Sequence, residues 1–86
     1  MTNLTAYPAT GFVTRSADLM TNLSNELRIP GERLHTFTRL QDDLFLDQMD
    51  VKLLIASLES RMEYYLTEEE MAQIETVGDI QHFFLR

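Results

Sequence analysis

Three times in its second half the chain writes the same short pattern: "DQMD" from Asp47, "TEEE" from Thr67 and "TVGD" from Thr76. In each, a short side chain with an acceptor oxygen is followed three positions later by an acid. The first residue caps the free N–H groups of a helix start, and the acid reaches back to the cap's own N–H. The three acids at 68–70 also suit the positive end of a helix dipole. Three such starts so close together leave room for helices and short turns, and for no strand.

The apolar spacing agrees. From Phe12, Val13, Ala17, Met20, Leu23 and Leu27 recur three or four apart, the signature of an amphipathic helix. "RIPGERL" ends it, because Pro30 disfavours helix at Ile29 and Gly31 favours a turn. Residues 29–46 form a long connection, with Leu34, Phe37, Leu40 and Leu44 placed to pin it to a core. The second helix is expected to bury Val51, Leu54, Ile55, Leu58, Met62 and Tyr65, with Met49 and Leu53 widening that stripe. Tyr64 and Tyr65 close the core from one end, leaving one ring partly wet. A short third helix follows Thr67, and a fourth follows Thr76 with Ile80, Phe83 and Phe84 inward. The expectation is an all-α four-helix bundle: three longer helices, one short one and a long first loop. Residues 1–10 read as a flexible N-terminal arm and 11–86 as the bundle.

With 86 residues there is one small domain. There is no cysteine, so no disulfide, no thiolate metal site and no side-chain thioester. The start "MTNLTAYPATGF" has neither a basic region nor an apolar run of signal-peptide type, and no stretch nears the ~20 apolar residues of a membrane span. A soluble cytoplasmic protein is expected. The net charge is −7, and of the 14 acids all but Asp18, Glu26 and Glu32 lie within residues 40–80, against Lys52 and Arg61. Phosphate repulsion disfavours nucleic acid as a ligand. Such a face suits a basic protein partner, or simply a solvated surface.

The order of these pieces resembles the acyl carrier protein family, small acidic four-helix bundles that carry growing acyl chains in fatty-acid and polyketide synthesis. "IPGERLHTFTRLQDDLFLDQMD" is similar to the family's loop leading into its D-S-L-D motif, and "LLIASLESRM" to its recognition helix. "LTEEEMAQIETVGDIQHFF" is similar to its closing segment. The resemblance covers roughly residues 12–84. It implies the fold, a docking role for the second helix, and a serine that holds 4′-phosphopantetheine at the position where this chain has Gln48.

That substitution matters chemically. Attachment forms a phosphodiester by attack of a hydroxyl on the pyrophosphate of coenzyme A, and a delocalised carboxamide nitrogen cannot give that ester. Ser57 and Ser60 lie about 14 and 18 Å further along the helix at ~1.5 Å per residue, too far to serve. Where the family usually has glycine stands Phe45. It reads as a plug packed on the bundle or as an interface anchor, and its neighbours Leu44 and Leu46 weigh toward the plug. Leu46 and Met49 match positions that the family uses for partner contact. Asp47 and Asp50 read first as helix caps and second as contacts to a basic partner. Glu59 and Glu63 read first as a solvated face and second as part of a docking face.

His35 and His82 have no second ligand at metal spacing, and the acids at 68–70 lack the layout of a calcium loop. No nucleophile–base pair, phosphate loop or paired carboxylates point to catalysis. Three functions remain. The first is a carrier-like protein without cofactor, binding a synthase, acyltransferase or another carrier as an accessory, scaffolding or regulatory subunit. The second is a genuine carrier on 4′-phosphopantetheine, with Gln48 an engineered replacement of serine or the attachment point elsewhere. The third is a binder of free acyl chains between the second and third helices, which a plug at Phe45 would oppose. The first is the expectation.

Overall fold

The computed structural model describes residues 8–86, with side chains from Arg15 onward. Its elements are α1 (Pro8–Leu27), a single 3-10 turn (Gly31–Arg33), α2 (Gln48–Met62), α3 (Glu68–Ala72) and α4 (Val77–Leu85). Among the described residues there is no strand, only an isolated antiparallel bridge between Arg39 and Thr76. The expected all-α bundle of three longer helices, one short helix and a long first loop is what the chain forms.

Helix α1 starts at Pro8, ahead of Phe12, since proline has no N–H to leave unpaired at a first helical position. The side chains of Phe12 and Val13 and, of the expected arm, residues 1–7 lie outside what the structure describes. The inward line of α1 is Leu19 and Leu23, both fully buried, with Met20 and Leu27 packed at its margin. Ala17, expected on that face, is exposed. At about 100° per residue it points roughly 200° away from Leu19, so the true face centres one step later than the spacing suggested. The helix ends with Arg28 in the left-handed region (φ 57°), which lets the Ile29 N–H reach back to the Ser24 carbonyl.

Helix α1 packs against both α2 and α4. Arg15 Nη2 donates to the Phe84 carbonyl at 2.8 Å, which fixes α1 against the end of α4. Val51, Leu54, Ile55 and Leu58 of α2 and Val77, Ile80, Phe83 and Phe84 of α4 complete one core with Leu66 and Ile74. Fully burying such a side chain contributes about 1.5–3 kcal/mol. Tyr64 packs its ring against Phe84, but Tyr65, placed by helical spacing on the inner face, is 70% exposed. The helix has already ended: Glu63 takes a left-handed C-cap conformation (φ 54°) and breaks the spacing.

The long connection is held by its backbone. Leu40 N–H donates to the Glu75 carbonyl, Val77 N–H to the Thr38 carbonyl and Gly78 N–H to the Thr36 carbonyl, at 2.8–2.9 Å. A Cβ on Gly78 would stand 2.8 Å from that Thr36 oxygen, so the close approach requires glycine. Leu34 and Leu40 are buried and Leu44 packs at the core margin, as expected, but Phe37 is 73% exposed. Thr38 takes the inward place, and Phe37 stacks instead on the exposed His35 ring at 5.0 Å.

All three expected capping boxes form. Asp47 accepts from Asp50 N–H at 2.7 Å and Asp50 accepts from Asp47 N–H at 3.1 Å, with the same reciprocal bonds at Thr67–Glu70 and Thr76–Asp79. Glu70 also pairs with Arg86, whose Nε donates to the Tyr64 hydroxyl. The hydrogen bond from Thr67 N–H, then that from Arg86, hold the Glu70 carboxyl below the usual carboxylate range.

Candidate functional site

The entrance of α2 gathers most of the residues singled out from the sequence. Gln48 is its first helical residue and is exposed. Asp47 and Asp50 on either side of it are occupied with each other's backbone N–H, which supplies the capping role. Leu46, just before the cap, packs at the core margin and fixes how the chain enters the helix.

Phe45 does not plug the bundle. It is 87% exposed and sits at φ 59°, in the left-handed region that a bulky side chain rarely adopts. Leu44 and Leu46 take the inward space on both sides, and the positive φ turns the phenyl ring out between them. Arg28 and Glu63, the other such non-glycine residues among the described ones, each follow the end of a long helix, where a left-handed residue is the ordinary way to stop. Phe45 closes no helix.

Met49 and Leu53 do not widen the buried stripe either; they are 62% and 61% exposed. Taking inward Val51 as zero, successive steps of about 100° put Met49 near 160° and Leu53 near 200°. Both therefore lie on the line of α2 farthest from the core. That angular position is the signal that simple spacing missed, because any apolar residue four from another looks like a stripe.

Along one flank of α2 runs an open groove of about 630 Å³, lined among others by Gln48, Lys52, Ile55 and Glu59, with Met71 of α3 across from them. Glu59, expected on a solvated or docking face, does neither alone. Its Oε2 accepts from the Leu66 N–H at 2.8 Å, bracing the turn out of α2. Glu63 is at the far end of the helix from Gln48, in the C-cap, so the two acids form no common face with the entrance. Arg61 pairs with Glu26 of α1 at 3.3 Å, and Arg39 pairs with Asp42 at 3.3 Å. Lys52 is the one lysine of the chain and stands on the groove side of α2.

Chemically the entrance is a solvent-open helix start with a carboxamide, two self-engaged aspartates and an outward apolar line. Among the described residues, no cluster of His, Asp and Glu could hold a metal ion, and no helix is long and apolar enough to cross a membrane. Ser57 and Ser60, half-buried and exposed, lie further along α2 than the entrance residues.

No protein-family model matches the chain. Curated relatives do. An acyl carrier protein MbtL of Mycolicibacterium paratuberculosis is 38% identical over 66 residues, 77% of this chain and 74% of the relative. The protein of the same name from Mycobacterium bovis is 32% identical over 68 residues, 79% of this chain and 81% of the relative. An acyl carrier protein of Saccharopolyspora erythraea is 30% identical over 63 residues, 73% of this chain and 66% of the relative. With this identity over most of both chains, and an all-α bundle of four helices, the chain belongs to the acyl carrier protein family.

Proposed function

We propose that this chain is a member of the family that works without a covalent arm, as an accessory, scaffolding or regulatory partner in a fatty-acid- or polyketide-type system. Its partner would be a synthase, an acyltransferase or another carrier protein. The observation that carries this reading is Gln48 at the first position of α2. The residues at the entrance do not fit 4′-phosphopantetheine: the group needs an alcohol oxygen to form its phosphodiester, and Gln48 offers a carboxamide. The protein catalyses nothing itself and acts in the cytoplasm by contact.

The test is the intact mass after incubation with a broad-specificity phosphopantetheinyl transferase and coenzyme A. No change is expected for the natural chain. A gain of one phosphopantetheine unit sinks the reading and favours the second one, a genuine carrier, which the names of the relatives support. The variant Gln48→Ser should gain that unit if the surface recognised by the modifying enzyme persists. A third reading, capture of a free acyl chain, rests on the open groove between α2 and α3, which no Phe45 plug closes. Native mass spectrometry that finds no co-purifying lipid would dispose of it.

A further inference from the structure

The chain is acidic overall, yet residues 28–39 hold Arg28, Arg33 and Arg39 against Glu32 alone. Of the arginines, Arg39, Arg61 and Arg86 are paired with carboxylates, and Arg15 is held by the Phe84 carbonyl. Arg28 and Arg33 form no ion pair among the described residues, and residues 1–14 contain no acid that could supply one. Both are exposed, one ahead of the 3-10 turn that follows α1 and one at its end. The two uncompensated arginines of the chain therefore share one turn.

The next four residues are built as a pedestal. His35 N–H donates to Thr38 Oγ1 at 2.9 Å, and Thr38 N–H donates back to the His35 carbonyl at 3.0 Å. Leu34 and Thr38 are buried on either side, and the Thr36 carbonyl accepts from Gly78 N–H of α4. This fixed turn presents His35 and Phe37 to water with their rings nearly parallel, 9° apart. The core uses neither ring. A stacked pair held this way is a flat apolar surface that needs little further ordering on contact.

We propose that the stretch from Arg28 to Phe37 is an interaction surface whose occupant is an acidic peptide segment of another protein, carrying an aromatic side chain. It goes beyond the reading of Gln48 and does not depend on it. Arginine and exposed aromatic rings are the side chains on which protein contacts most often turn. Charge and size decide the occupant. Nucleic acid would bring a dense phosphate field to a chain of net charge −7. An anionic membrane gains about 1 kcal/mol per basic side chain, which two arginines supply too few times over against the acids elsewhere. Two copies of the chain each carry −7 and repel. Salt screens charges over about 8 Å, so a narrow acidic segment can reach the turn while a broad acidic face would meet the acids of residues 40–80. So small a surface gives a weak, transient contact.

The probe is a short peptide of glutamates around one tryptophan, titrated into the full chain while amide shifts are recorded by NMR. Two controls each change one property: lysines replace the glutamates, or glutamine replaces the tryptophan. The probe should shift the amides of residues 31–38 first. Its affinity should fall about tenfold in Phe37→Ser and about tenfold in Arg33→Glu. Both sites are exposed, and unchanged amide positions elsewhere will show that the variants keep the fold. Each control should bind at least about tenfold more weakly than the probe. Equal affinity in Phe37→Ser and the natural chain would overturn the proposal. So would shifts centred on α2, a glutamine control as tight as the probe, or no shift at about 1 mM peptide. Binding to anionic lipid vesicles that is lost in Phe37→Ser would also overturn it, as would self-association through residues 31–38. A chain that gains a phosphopantetheine unit should bind the probe unchanged, so this proposal and the reading of Gln48 fail separately.

Discussion

Helices α2 and α4 begin alike and end up doing different things. Each opens with a reciprocal capping box, Asp47 with Asp50 and Thr76 with Asp79. After that, α4 turns Val77, Ile80, Phe83 and Phe84 inward, while α2 divides its apolar residues between the core and the water. The start of α4 is also covered, since the first connection lays two carbonyls on its leading N–H groups; the start of α2 faces solvent. The difference teaches which acids and which apolar residues carry information. An acid at the third position of a helix is explained by the cap wherever it occurs, so Asp50 is no evidence for docking that Asp79 would not equally be. Leu53 has no counterpart on α4.

The widest gap should separate two leucines of the same helix. Leu58 is fully buried, so Leu58→Ala should cost about 3–5 kcal/mol in urea unfolding, as should Phe84→Ala from α4. Leu53→Ala should change stability by no more than about 0.5 kcal/mol. A large loss at Leu53 would mean that the outer line of α2 is structural, and the contrast between the helices would collapse.

Next in size is the covered start of α4. In Gly78→Ala the new Cβ meets the Thr36 carbonyl oxygen at 2.8 Å, a backbone atom that cannot swing aside. The connection must lift, at about 1–3 kcal/mol, and thermal unfolding should register it. Gln48→Ala, at the uncovered start of α2, should be nearly silent by the same measurement.

The caps should behave as equals. Asp47→Ala and Thr76→Ala are each expected to cost about 1 kcal/mol. A silent Asp47→Ala would return that aspartate to the partner-binding set. The third box differs by its extra partner, Arg86. Because Glu70 is held below the usual carboxylate range when folded, its contribution is complete above the ordinary glutamate range and is lost as pH falls through the lower folded value. Glu70→Gln should therefore flatten that part of the acid unfolding curve and leave the neutral and alkaline parts in shape.

Much of this was legible from the sequence because it is local. A cap and its acid are three residues apart, and a buried stripe repeats within one helix, so the boxes and the cores of α2 and α4 follow from spacing. What escaped depends on distant parts. Gly78 looks like any helical glycine until Thr36, from another segment, is laid against it. Glu59 looks solvated until the turn returns the Leu66 N–H to its carboxylate. Phe37, Phe45 and Leu53 are apolar, and periodicity alone assigns apolar residues inward. Their exposure is set by which neighbour wins the inward place: Thr38 against Phe37, Leu44 and Leu46 against Phe45, and Val51, Leu54 and Ile55 against Leu53. Gln48 was readable as a chemical change at once, since a carboxamide lacks the hydroxyl in any conformation.

The smallest effect bears most directly on why α2 looks outward. A non-glycine residue in the left-handed region costs roughly 1–2 kcal/mol, and glycine there gives back part of that through its looser unfolded chain. Phe45 buries almost nothing, so no packing is lost when its ring is removed. Phe45→Gly should therefore raise stability, by about 0.5 kcal/mol, measured as a shifted urea midpoint with an unchanged slope. Phe45→Ala, which deletes the ring but keeps the Cβ, should give no such gain. A gain of that size would mean that the fold does not need the ring of Phe45. A Phe45→Gly variant less stable than the natural chain would show instead that the ring supports the loop, and α2 would then differ from α4 only by Met49 and Leu53.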